Sequence, residues 1–158
     1  MTIIMNFMPN RPKRSAKPSK NAVAVLAYDG VCTFELGIAV EVFGLPSMRQ
    51  DWYRVTVCAE RPGHPVLANG GVKIVPDAGL DALDKSGTII LPGWQYIDVV
   101  PPRALLERLR RAHSNGSRVA SICSGVFVLG PVTRLTRDLG DDGLERWCSS
   151  TRRGTRHV

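Results

Sequence analysis

No apolar run in this sequence approaches the roughly 18 residues that a bilayer crossing takes. The opening MTIIMNFM is short, and its basic residues follow rather than precede it, the reverse of a signal peptide. Cytoplasmic residence is therefore expected. No CxxC pair joins the four cysteines, Cys32, Cys58, Cys123 and Cys148, and no Cys/His spacing suits zinc. A disulfide framework is unexpected without a secretory signal. No metal and no cofactor is expected either, which leaves free thiols available for chemistry.

Acids are missing from both ends. Arg11, Lys13, Arg14, Lys17 and Lys20 meet no carboxylate before Asp29, and Arg146, Arg152, Arg153 and Arg156 meet none after Glu145. The first group carries +5 of the net +7 and the second +4, which leaves the body between them at −2. A nucleic-acid surface needs its cations organised on a folded face. Basic ends of this kind read as solvated extensions, so no specific DNA binding is expected of this chain. Apolar residues at 44% against 22% charged suit a globular protein, and 158 residues suit one domain.

Residues 1–21, with three prolines and five cations, read as a disordered basic leader. Order is expected from AVAVLAY (22–28), a continuous apolar run of the kind buried on both faces of a parallel sheet. Asp29-Gly30 turns the chain, and Thr33 suits an N-cap. Phe34, Ile38, Val42 and Leu45 then recur at helical spacing until Pro46. YRVTVCA (53–59) alternates as a strand does, and Asn69-Gly70 between short apolar runs marks a hairpin. Asp77–Leu83 reads as a brief helix. GTIILPGW (87–94) is a second buried strand, closed by Pro92-Gly93. Pro101-Pro102 opens a helix with the stripe Leu105, Leu106, Leu109 and Ala112. Glu107 and Arg111 are spaced four apart, and Asn115-Gly116 ends it. RVASI (118–122) is the last strand, with a helix from Ser124. Strands alternating with helices predict right-handed βαβ units and a parallel sheet covered on both faces.

One junction needs a reason: RVASICSGVFVLG (118–130) breaks an apolar strand on Cys123-Ser124-Gly125. Ligands of open α/β sheets bind outside the carboxyl ends of the strands. Three such ends are legible, at Asp29-Gly30, Gly93-Trp94 and Cys123. A residue between a strand and the next helix sits on a tight turn, comparable to the G-x-S-x-G elbow. The helix N-terminus favours a thiolate there. The Ser124 N–H, with one from the Gly93 turn, can face a developing oxyanion. Gly125 lets the helix approach closely. Packing is the alternative for Cys123, and a plain turn glycine is the alternative for Gly93. Trp94 either caps the pocket or plugs an edge. Cys32 and Cys58 read as structural, and His113 as solvated or capping.

AVAVLAYDGVCTFELGIAVEVFGLP, TIILPGW and RVASICSGVFVL together resemble the ThiJ/PfpI domain of the class I glutamine-amidotransferase-like superfamily. They are most similar to the version forming the N-terminal half of AraC-family transcriptional regulators of the FtrA kind. The resemblance covers residues 22–129. It implies a flavodoxin-like three-layer sandwich with a mostly parallel sheet, often a homodimer, with Cys123 as the elbow cysteine. It also implies an acidic neighbour, because Glu35 falls where relatives, isonitrile hydratases among them, carry the carboxylate facing that cysteine. A carboxylate sharing a proton with sulfur stabilises one protonation or oxidation state. The alternative for Glu35 is a first-turn acid complementing the helix dipole.

Past Leu129 the resemblance stops. Relatives continue into a motif of Ala-Thr-Thr-His-Trp type, which supplies a histidine. Here Pro131 is expected to interrupt the helix, and residues 130–158 read as a non-family, irregular tail. Codons available to residues 140–145, read one nucleotide later, spell Ala-Thr-Thr-Asp-Trp. A frameshift near residue 130 is therefore expected, with a truncated chain and a C-terminally incomplete sandwich. The leading functional expectation is the effector-sensing domain of an AraC-family regulator without its helix-turn-helix half. Cys123, Glu35 and the Gly93 turn would line the pocket for a small-molecule effector. The alternatives are a cysteine-dependent hydrolase or hydratase related to isonitrile hydratase, and a non-functional remnant.

Overall fold

The apolar runs at 22–27 and 86–91 alternate their side chains between two faces, and both faces are covered. The computed structural model describes residues 17–45, 52–95 and 100–132. In chain order they form β1 (Ser19–Leu26), α1 (Thr33–Gly44), β2 (Arg54–Ala59), β3 (Val66–Leu67), β4 (Lys73–Ile74) and β5 (Ala78–Gly79). Then follow α2 (Asp81–Lys85), β6 (Ser86–Leu91), α3 (Arg103–Ser114), β7 (Arg118–Ser121) and α4 (Val126–Val132). The main sheet has the order β5-β2-β1-β6-β7, with every pairing parallel. β3 and β4 make a separate antiparallel arm around Asn69-Gly70.

Period-two alternation sorts the core into two halves. Val23 and Val25 of β1 and Ala27 just past its end, with Ile90 of β6, pack with Leu36 and Ala39 of α1 and with Val66 and Ala68 of the arm. Ala24, Leu26, Ile89 and Leu91 point the other way, onto Leu83, Leu105, Leu106, Leu109, Ala112 and Val128. The result is a three-layer α/β sandwich around a parallel sheet. The α3 stripe is buried as its spacing predicts. Each such leucine contributes roughly 1.5–3 kcal/mol through its removal from water. Asp84 of α2 ties that layer together, accepting from Arg108 and Arg111 of α3 at 2.9 Å each.

Local expectations yield to tertiary structure at six points. β1 opens at Ser19, so residues 17–21 belong to the fold rather than to a leader; Ser19 Oγ accepts from Arg54 at 3.1 Å. Cys32, not Thr33, occupies the N-cap position of α1, and no side chain caps it. Ala78 and Gly79 pair with Cys58 and Ala59 at the sheet edge, which turns the first half of the expected 77–83 helix into strand. Arg111 goes to Asp84 of α2, while Glu107 takes Arg103 at 2.8 Å instead. Pro131 lies inside α4, which continues to Val132. On α1, the Phe34, Ile38, Val42 and Leu45 stripe that marks the helix faces solvent, and Leu36 and Ala39 make the buried contacts.

The remainder of the expected leader (1–16) and of the expected tail (133–158) lies outside the described residues. Among the described residues, no helix is long and apolar enough to cross a membrane, and no group of His, Cys, Asp and Glu could hold a metal ion.

Candidate functional site

β6 and β7 run side by side, with Leu91 paired to Ser121. Ile122 adds one more bond, donating to the Leu91 carbonyl at 2.9 Å. Cys123 then leaves the ladder with φ at 52°, the one non-glycine residue in the left-handed region among the described residues. A side-chain-bearing residue is strained there. It opens a single 3-10 turn, Cys123–Gly125, which runs directly into α4. The side chain of Cys123 is exposed. This is the strand–elbow–helix geometry that the sequence suggested, and the thiol is presented rather than packed.

Gly125 makes the corner possible. A Cβ there would collide with the Leu91 carbonyl oxygen and lie 2.8 Å from that of Pro92. The elbow thus rests on the backbone of the β6 exit. One residue on, Gly93 meets α1, where a Cβ would fall on the Glu35 carboxylate. Gly93 is therefore a seat for that side chain, not only a turn residue. Glu35 sits in the first turn of α1, and its Oε2 is buried with no hydrogen-bond partner among the described residues. An orphaned carboxylate oxygen is costly. Gly93 thus lies against Glu35, and Gly125 lies against the Leu91 and Pro92 carbonyls. Cys123, Ser124 and Gly125 form the turn after β7, beside the β6 exit that carries Gly93.

Trp94 and Asp29 are placed elsewhere. The Trp94 ring is buried under α3 and stacks on Tyr28, with centroids 4.5 Å apart and planes tilted by 42°. It plugs the core rather than capping the corner. It lines an apolar cavity of about 90 Å³ with Leu80, Pro102 and Leu105. Asp29 is exposed, and its Oδ1 accepts from the Leu67 N–H at 2.9 Å, which pins the arm to the β1 exit. It lines a cavity of about 110 Å³ with Glu60, Arg61 and His64. Tyr28 borders both cavities. Pattern reading passed over it, although an aromatic at the carboxyl end of a central strand was a usable signal. Gln95 was missed too; its side chain covers Gly30, where a Cβ would meet its Oε1.

The other cysteines differ in kind. Cys58 is fully buried in β2. Burial, assisted by the nearby negative charge of Asp81, pushes its thiol up to about 12. Cys32 is half-buried at the start of α1. His64 Nδ1 lies 3.1 Å from the Pro62 carbonyl, and His113 Nδ1 lies 3.3 Å from that of Ser117. Neither is at the elbow.

The sequence model of the DJ-1/PfpI family matches residues 21–138, reaching past the point where the motif resemblance stops. An uncharacterized protein in the cpoL 5′ region of Streptomyces lividans is 28% identical over 109 residues, or 68% of this chain and 77% of that protein. Among solved structures, a ThiJ/PfpI family protein from Pseudomonas syringae superposes with a TM-score of 0.61 at 20% identity. That match covers 79% of this chain but 52% of the other, so the chain spans about half of its length. Drosophila melanogaster DJ-1beta gives 0.58 at 24% identity, over 72% of this chain and 61% of its own. An AraC family transcriptional regulator from Pseudomonas putida gives 0.59 at 17%, over 70% and 60% respectively. At these identities the structural likeness establishes the fold.

Proposed function

The chain belongs to the DJ-1/PfpI family, and from that premise we propose that it is the effector-sensing domain of an AraC-family transcriptional regulator of the FtrA kind, working in the cytoplasm. One observation carries the reading: a buried, unpartnered oxygen of Glu35 is seated on Gly93 beside the elbow that exposes Cys123. A small effector with a hydrogen-bond donor would satisfy that oxygen, and binding energy would come from relief of the orphaned acceptor. The likeness in fold to the Pseudomonas putida regulator supports the regulatory assignment. α2 and α3 are committed to covering the sheet, so no specific operator binding is expected of this chain alone. Effector binding is tested by blocking: a candidate small primary amide should slow iodoacetamide labelling of Cys123 in the native chain and should not be turned over. A Glu35→Leu variant, which removes the acceptor, that retains the protection overturns the assignment.

A second reading, a cysteine-dependent hydratase or amidase, draws on the left-handed, exposed Cys123. Turnover of an isonitrile, nitrile or amide that disappears in Cys123→Ser would favour it over sensing. The exposed stripe on α1, with Phe34 at 72%, Val42 at 53% and Leu45 at 54% exposure, supports a homodimer that covers this face. Phe34→Glu should shift the sedimentation coefficient from dimer to monomer.

A further inference from the structure

The edge of the sheet opposite the elbow carries a cleft that the sensing site does not use. At the amino ends of β1, β6 and β7, a cavity of about 350 Å³ is lined by Lys17, Lys20, Asn115 and Arg118, with Gly87 and Gly116 in its wall. Its size falls within the range of small-molecule sites, roughly 300–1,000 Å³. No carboxylate lines it.

Neither Lys17 nor Lys20 makes an ion pair among the described residues, and both are exposed. Arg118 is oriented from below, donating through Nη2 to Thr88 Oγ1 at 2.8 Å. That leaves other guanidinium donors for a ligand. Gly87 holds the floor together: a Cβ there would lie 2.5 Å from the Ser19 carbonyl oxygen and 2.8 Å from the Lys20 Cα. Gly116, with φ at +100°, makes the turn that brings Asn115 to the rim.

Cations at a helix C-terminus often serve its carbonyls. Here those carbonyls are already engaged, since Asn115, Gly116 and Ser117 N–H groups donate to Arg111, His113 and Ala112 at 3.0 Å each. The cations are therefore surplus to the needs of the helix end. A finite cleft with two point charges, one oriented guanidinium and a neutral amide matches a phosphate ester.

We propose that this cleft binds a small phosphorylated metabolite, of the size of a nucleoside monophosphate. Isothermal titration of the full chain with adenosine 5′-phosphate in low-salt buffer should give a Kd below about 1 mM. Raising the salt should weaken it through screening. Lys17→Gln/Lys20→Gln, both on the surface, should keep the melting profile and lower the affinity about tenfold. Asn115→Asp, which brings a carboxylate into the cleft, should do the same by a different route. Binding should leave the labelling rate of Cys123 unchanged, which separates this cleft from the elbow. No heat of binding, or binding indifferent to both variants, overturns the proposal. So does a random-sequence DNA duplex that binds where adenosine 5′-phosphate does not.

Discussion

Two cysteines of this chain lie near the carboxyl edge of one sheet and have opposite properties. Cys58 is the fifth residue of β2, paired with Ala78 on one side and Leu26 on the other, and sealed between layers. Cys123 lies two residues beyond the last paired residue of β7, in a left-handed turn with its side chain in solvent. The residue type is the same. What differs is register relative to the strand end, and that decides whether the sulfur is packed or presented to solvent. A thiol inside the ladder is buried by the two strands beside it and the layer above, whereas a thiol just past it is held by the turn alone.

The comparison breaks most completely at Gly125. Gly125→Val would force the elbow off the Leu91 and Pro92 carbonyls and cost about 3 kcal/mol in chemical denaturation, with loss of the Cys123 geometry. The next effect falls on the buried member. Cys58→Ser places a hydroxyl in an apolar setting and should cost about 2 kcal/mol. Cys123→Ser should stay within about 0.5 kcal/mol of the parent, because that side chain is exposed. Equal losses at the two positions would erase the distinction.

Alkaline pH sharpens it further. The Cys58 thiol ionises near 12 when folded and near its usual 9.0 when unfolded. Its acid form is favoured in the fold, so the stability it brings is whole below about pH 9 and is lost as pH rises from there toward 12. The loss should approach about 1.4 kcal/mol per pH unit and be absent in Cys58→Ala, as denaturation midpoints across that window will show. The smallest effect belongs to Asp81. Its hydrogen bond from Lys85, at 2.6 Å, holds its carboxyl below the ordinary value. That contribution is present above about pH 4 and is lost as pH falls through the lowered value. Asp81→Asn should flatten the acid limb of a pH-stability curve slightly, the pair being largely exposed.

Much of this was legible in the chain itself, for identifiable reasons. The β1 and β6 runs are so uniformly apolar that only a strand covered on both faces explains them, and α3 has a stripe with one reading. The elbow was legible because Cys123-Ser124-Gly125 interrupts an apolar run just where a strand must end. α1 misled. Apolar residues surround it, so the strongest periodicity picked out Phe34, Ile38 and Val42, while the smaller Ala39 and Leu36 make the sheet contact. β5 was hidden because two residues of strand carry no pattern; their pairing with Cys58 and Ala59 is purely tertiary. Trp94 and Asp29 sit at strand ends as expected, but backbone position does not say which face a side chain takes. The Trp94 ring turned to the α3 layer and the Asp29 carboxylate to the arm.

That Cys123 and Glu35 form one corner is tested most directly by peptide-resolved iodoacetamide labelling of the native chain. Cys123 should label fast and Cys58 only on unfolding, and Glu35→Gln should change the rate at Cys123 while leaving Cys32 and Cys58 as they were. A Cys123 that labels no faster than Cys58, or at a rate blind to Glu35→Gln, would contradict it.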